Sequence, residues 1–108
     1  MRQNNLTSTI SDNLRLFDPM KKRHIDSVVF NVHNSKIHEL KKAEIAFNLK
    51  KDGFSFLTEG ILKNGLRCDV AVLDVSPMIF YEIAVSESDE SLIKKRNNYP
   101  GKVIVVRV

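Results

Sequence analysis

Asp69 and Glu82 each interrupt a run of apolar, strand-forming residues, Cys68-Asp69-Val70-Ala71-Val72-Leu73 and Ile79-Phe80-Tyr81-Glu82-Ile83-Ala84-Val85. An ionised carboxylate inside a largely buried strand is costly unless positive charge meets it. A hard divalent cation such as Mg²⁺ is one natural partner, since it takes oxygen ligands. Two such strands side by side predict a sheet with a metal site between them.

The remainder of the chain leaves room for one small domain. Its 108 residues and 43% hydrophobic content suit a single core. Cys68 is the lone cysteine and cannot form an internal disulfide, and no apolar N-terminal stretch resembles a leader or spans a bilayer. The expectation is a cytoplasmic protein with no membrane partner. The net charge of +4 is unevenly spread: +2 over residues 1–35, −3 over 36–91 and +5 over 92–108. A basic end beside an acidic, cation-demanding centre suits a polyanionic backbone held close to catalytic metal. The plainer alternative is a solvated basic helix.

Local signals set the element order. Residues 1–33 are the least readable: Leu14, Leu16 and Phe17 precede Asp18-Pro19, the basic run Lys21-Lys22-Arg23 and a β-branched stretch, Ser27 to Val32, that reads as a short strand. They are treated as an N-terminal extension, an appended arm or an edge strand. Asn34 or Ser35 caps a helix running to about Lys51, closed by Asp52-Gly53. At 100° per residue Ile37, Leu40, Ala43 and Phe47 share one face, Ile45 and Leu49 form a second stripe, and Glu44 lies between Ile37 and Leu40. Glu44 is a rim residue or a third acidic ligand. Phe54 to Glu59 reads as a strand, followed by the two carboxylate strands. A second helix begins at Ser86 or Ser88, with acidic residues first and Lys94, Lys95 and Arg96 last, as the helix dipole favours. Asn98-Tyr99-Pro100-Gly101 stops it, and Lys102 to Val108 is a nearly continuous apolar run, as in a strand covered on both faces.

With that order, and with Gly53-Phe54, Thr58-Glu59, Gly65-Leu66-Arg67-Cys68-Asp69 and Glu82 at these places, residues 34–108 resemble the PD-(D/E)XK nuclease superfamily. The likeness is nearest to the small archaeal Holliday-junction-resolvase-like nucleases. It implies an α/β, restriction-endonuclease-like α-β-β-β-α-β core, with a central mixed sheet flanked by helices. Asp69 and Glu82 take the motif carboxylate positions, holding Mg²⁺ or Mn²⁺ at a scissile phosphate. The family's lysine, two residues after the glutamate, is here Ala84. Residues 82 and 84 share a strand face, so the resemblance requires another cation, and Lys94 and Lys95 are the candidates. Arg67 is expected to bind phosphate or to hold Asp69 ionised. Arg67, Lys94, Lys95, Arg96 and Lys102 are the expected DNA contacts. The helix glutamate of such resolvases falls at Lys42, with Glu39 and Glu44 nearby, so Glu44 is kept as an auxiliary metal ligand and Glu59 as an outer-sphere one.

Other chemistries fit less well. His24, His33, His38 and Cys68 lack the paired spacing of a zinc site, no glycine-rich phosphate loop precedes a helix, and Ser86 and Ser88 suit capping. Two functional classes follow. One is a metal-dependent DNA endonuclease, extending to branched DNA cut by a homodimer. The other is a catalytically degenerate nuclease-fold module that binds DNA or a protein partner, as Ala84 would suit.

Overall fold

The chain is described by a computed structural model that covers residues 2–21 and 24–108, so Lys22 and Arg23 of the basic run lie outside the described residues. It contains helices α1 (Arg2–Leu14), α2 (Lys36–Lys51) and α3 (Asp89–Arg96) and strands β1 (Phe56–Thr58), β2 (Val70–Val72), β3 (Ile79–Ala84) and β4 (Lys102–Arg107). The fold is α/β, with the strands in one four-stranded mixed sheet of order β1-β2-β3-β4. β1–β2 and β2–β3 are antiparallel and β3–β4 is parallel, α3 making the crossover.

Capping chemistry sets the helix ends. The Ser35 side chain accepts the His38 amide at 3.2 Å to start α2, and the helix ends at Asp52, with Gly53 at φ 86. That positive φ is one that glycine alone adopts without a Cβ penalty. Ser88 caps α3 in the same way by accepting from the Ser91 amide, with Asp89 and Glu90 in the first turn and three cations in the last. Favourable charge–dipole contacts at both ends hold this short helix.

Alternation along the strands sends side chains to two cores. Phe56, Val70 and Val72 pack with Ala46 and Leu49 of α2 on one face of the sheet. Leu57, Ala71 and Phe80 pack with Phe17, Leu62, Cys68 and Tyr99 on the other.

The N-terminal segment is neither an appended arm nor an edge strand. α1 covers the second core through Ile10 and Leu14, Phe17 is buried, and the Asn13 side-chain amide donates to the Leu73 and Val75 carbonyls at 2.7 and 2.8 Å. The stretch Ser27 to Val32 forms no strand. A side chain secures it instead: the Thr58 hydroxyl donates to the Ser27 carbonyl and accepts from the Val29 amide, at 2.9 and 2.8 Å.

Two further expectations are corrected. The helix face of Ile37, Leu40 and Phe47 points outward, while His38, Glu39, Lys42, Ala46 and Leu49 face the sheet. Apolar packing of Ala46 and Leu49 and the buried pairing of Lys42 with Glu39 and Glu59 together fix the rotation of α2. β4 is not covered on both faces; it is an edge strand, and Val103, Ile104, Val105 and Val106 stay partly exposed.

β4 reaches its place over Gly101, where an added Cβ would lie 2.1 Å from the Met78 carbonyl oxygen. Gly101→Ala is expected to force β4 away from β3 and to lower stability by about 1–3 kcal/mol, the range for overpacking. A urea midpoint unchanged from wild type would contradict this.

Candidate functional site

The carboxylate strands meet as their sequence demands. Val70 pairs with Tyr81, so continuing the antiparallel register by one step sets Asp69 opposite Glu82. Both line a cleft of about 390 Å³ with His38, Glu59, Arg67 and Lys95. The cleft lies where the N-terminal end of α2 passes the ends of β1, β2 and β3.

Each carboxylate has its own partners. Asp69 Oδ2 accepts from the Ile83 amide at 2.8 Å, and Asp69 Oδ1 lies 3.3 Å from His38 Nε2. Glu82 Oε2 accepts from the Tyr99 hydroxyl at 2.8 Å, and Glu82 Oε1 from Lys95 Nζ at 3.2 Å. Lys95 also pairs with Glu87 at 2.6 Å. Beneath the cleft Lys42, wholly buried, donates to Glu39 Oε1 at 2.6 Å and stands 3.4 Å from Glu59 Oε2. His38 Nδ1 lies 2.7 Å from Glu39 Oε2. A continuous polar chain thus runs from Lys42 through Glu39 and His38 to Asp69.

The carboxylates differ in how well they are satisfied. Burial raises the pKa of Glu39, but hydrogen bonds from Lys42, the Asn31 amide, His38 and Asn34 outweigh it and bring the group down to about 2. Asp69 goes the other way: desolvation, then the charge of Glu82, push it up to about 6 despite the Ile83 hydrogen bond. Burial and the Glu82 charge push the Tyr99 phenol well above its ordinary range. Lys95 is raised, since Glu87 and Glu82 outweigh the partial burial that opposes its charge. Burial, then Asp69, push the Cys68 thiol up, so it is an inert core residue. Glu59 sits at a positive φ of 55, and its buried Oε2 has no hydrogen bond. A non-glycine residue held there is a strained backbone position of the kind found at functional sites.

The expected site residues divide. Asp69, Glu82, Lys95 and Arg67 converge on the cleft, as does Glu59. Arg67 approaches Glu59 Oε1 at 3.7 Å rather than securing Asp69. Glu44 does not reach the site: it is exposed on the outer face of α2 and paired with Lys41 at 3.3 Å. Lys94 is exposed and lies outside the cleft lining, because one helix step of about 100° separates it from Lys95. Arg96 is likewise exposed away from the cleft, and Lys102 is in register with Ile79, at the far end of β3 from it. His38, Glu39, Lys42 and Tyr99 are site residues that periodicity did not single out. Their signal was polar side chains at helix spacing (38, 39, 42) and a tyrosine in the turn after α3.

Asp69 and Glu82 are close enough to disfavour their joint ionisation, and Glu59, ion-paired to Lys42 through Oε2, lines the same cleft. Among the described residues, however, no three His, Cys, Asp or Glu side chains already stand together as a metal-holding group. A cation between Asp69 and Glu82 has to compete with Lys95 and His38 for their oxygens.

No family model, curated protein or solved structure matches this chain.

Asp69 and Glu39 give stability opposite pH dependences. Asp69 is raised from 3.8 to about 6 in the fold, so its contribution is full below the lower value and lost as pH rises through the upper one, roughly 3 kcal/mol in all. Glu39 is lowered from 4.5 to about 2, so its stabilisation, also roughly 3 kcal/mol, is present above the ordinary value and lost as pH falls through the lower one. In chelator, Asp69→Asn is therefore expected to be more stable than wild type at neutral pH and to lack the decline between about pH 4 and 6. Urea midpoints against pH measure this; a variant less stable at neutral pH refutes it. Lys42→Met leaves Glu39 and Glu59 without their buried cation and is expected to cost about 3–5 kcal/mol in the same assay.

Proposed function

We propose that this chain is a Mg²⁺- or Mn²⁺-dependent DNA endonuclease of the PD-(D/E)XK type, with the cleft between β2 and β3 as its active site. The observation that carries the reading is the placement of Asp69 and Glu82 across adjacent strands, with a lysine ammonium 3.2 Å from Glu82. The order helix, three strands, helix, strand about a mixed sheet supports it, as that is the order the sequence resemblance implies.

In this reading Asp69 and Glu82 hold the metal, with Glu59 close by. A bound divalent ion supplies charge neutralisation at the scissile phosphate and lowers the pKa of a coordinated water. Lys95 takes the role left open by Ala84. Its raised pKa keeps it an ammonium, so it neutralises phosphate charge or orients the attacking water. Arg67, about half exposed at the cleft rim, offers a fork of donors to a phosphate. Tyr99 fixes the Glu82 carboxylate by donating to Oε2, and His38, 2.7 Å from Glu39, stands 3.3 Å from Asp69 on the helix side. One cleft cuts one strand, so a cut through both strands needs two copies of the chain.

The decisive test is cleavage of linear, single-stranded, flapped and four-way DNA with either metal. Asp69→Asn and Glu82→Gln are expected to abolish cutting while leaving salt-sensitive DNA binding largely intact, since the basic residues remain. Lys95→Met is expected to slow cutting roughly 100-fold or more, and Lys94→Met to leave it near wild type. A wild type that binds one of these DNAs and cuts none refutes the enzyme and leaves the binding module, the reading that Ala84 favours.

A further inference from the structure

The outward face of α2 is the most apolar exposed surface on any helix of the described residues. Ile37, Leu40 and Phe47 are 54%, 57% and 67% exposed, although the inward face of the same helix holds His38, Glu39 and Lys42. The helix also packs Leu49 and Ile45 against the sheet, so it carries a second apolar stripe that its own fold does not cover, the kind of surface that suits a partner.

The stripe identifies its occupant. Ile37, Leu40, Glu44 and Phe47 are spaced by three, four and three residues, the alternation that lets two helices interdigitate at a shallow crossing angle. That spacing reads the same from either end. A twofold axis at residue 42 sets Ile37 of one copy against Phe47 of the other, and Leu40 beside Glu44. Charge follows the same symmetry. Lys41 and Glu44, now paired along the helix at 3.3 Å with side chains 30% and 61% exposed, come within reach of Glu44 and Lys41 of the second copy. A parallel pairing would instead place like charges and like helix dipoles side by side.

We propose that α2 packs antiparallel on α2 of a second copy of this chain, forming an isologous dimer around Leu40 and Phe47 with two reciprocal Lys41–Glu44 ion pairs. A 16-residue helix spans about 24 Å, so the contact falls at the small end, below about 1,200 Å² in total, where complexes are weak and concentration-dependent. The dimer requires nothing of the cleft chemistry and stands or falls separately from the nuclease reading.

Sedimentation equilibrium on the full chain, from low micromolar to near-millimolar concentration, tests it. Wild type is expected to pass from monomer to dimer across that range. Lys41→Glu and Glu44→Lys should each weaken association about tenfold or more, a loss of ~1.4 kcal/mol. An equimolar mixture of the two should recover it. In that mixture every cross-copy pair is again of opposite charge, while the pair within each helix remains repulsive, so recovery cannot come from repaired helices. Phe47→Glu should be monomeric with an unchanged circular dichroism spectrum, and Ile93→Glu, which removes an exposed apolar side chain from α3, should dimerise as wild type does. The proposal is overturned by a wild type that stays monomeric, by a mixture no tighter than its components, or by a dimer that Ile93→Glu breaks and Phe47→Glu does not.

Discussion

Lys42 is the constraint on which the arrangement of this molecule depends. Its ammonium is wholly buried, 2.6 Å from Glu39, 3.4 Å from Glu59 and 6.0 Å from the centre of the Phe30 ring. A buried cation is tolerated only when carboxylates meet it, so α2 cannot rotate about its axis without stranding charge. Once Lys42 fixes Glu39, that carboxylate gathers the Asn31 amide, Asn34 and His38. His38 then reaches Asp69. The helix is thereby tied to the sheet at its first half by charge and at its second half by Ala46 and Leu49.

The two ends of this polar chain are treated in opposite ways. Glu39 has donors enough to stay ionised far below neutral pH, and it serves structure. Asp69 and Glu82 are placed opposite each other with too little positive charge between them, so burial and mutual repulsion hold Asp69 up near 6. Glu59 adds a strained backbone position to the same cleft, its buried Oε2 meeting only the Lys42 ammonium, at 3.4 Å. The raised Asp69 and the strained Glu59 backbone oppose folding, and they stand together in one cleft.

How far the sequence revealed this follows from the range of each signal. The limits of α2 were legible because capping is local: Ser35, Asp52 and Gly53 act within a turn of themselves. Asp69 and Glu82 were legible because a carboxylate in an apolar strand is anomalous wherever the strand goes. Periodicity, however, finds an apolar stripe without saying what it faces, and α2 carried two. The stripe of Ile37, Leu40 and Phe47 is the larger, yet the sheet took the face with Ala46 and Leu49, a rotation that also brings Lys42 to Glu59 and Glu39 to the Asn31 amide. The helix α1 went unread, because only Ile10 and Leu14 of its described side chains pack on the core and their neighbours are polar. β4 reads as a buried strand from its Val103–Val106 run, and its edge position depends on strand order, which no local pattern encodes.

The choice between Lys94 and Lys95 shows the same limit at a single residue and bears most directly on mechanism. Both follow β3 within one residue of each other, and only the phase of α3, set by Ser88 at its start and by burial of Leu92, sends one to Glu82 and the other to solvent. Ala84 is fully buried, in register with Arg107 on β4, so a cation at this cleft must come from outside the sheet. α3 provides it, and Glu87, on the short connection before that helix, holds Lys95 in place at 2.6 Å. Tethering between two carboxylates raises its pKa, which fixes its character: a lysine stabilised as ammonium is a poor proton acceptor and a strong point charge. Whatever anion enters the cleft meets Lys95 as a charge already paired with Glu82 and Glu87. Binding there therefore has to exchange carboxylate partners for ligand oxygens.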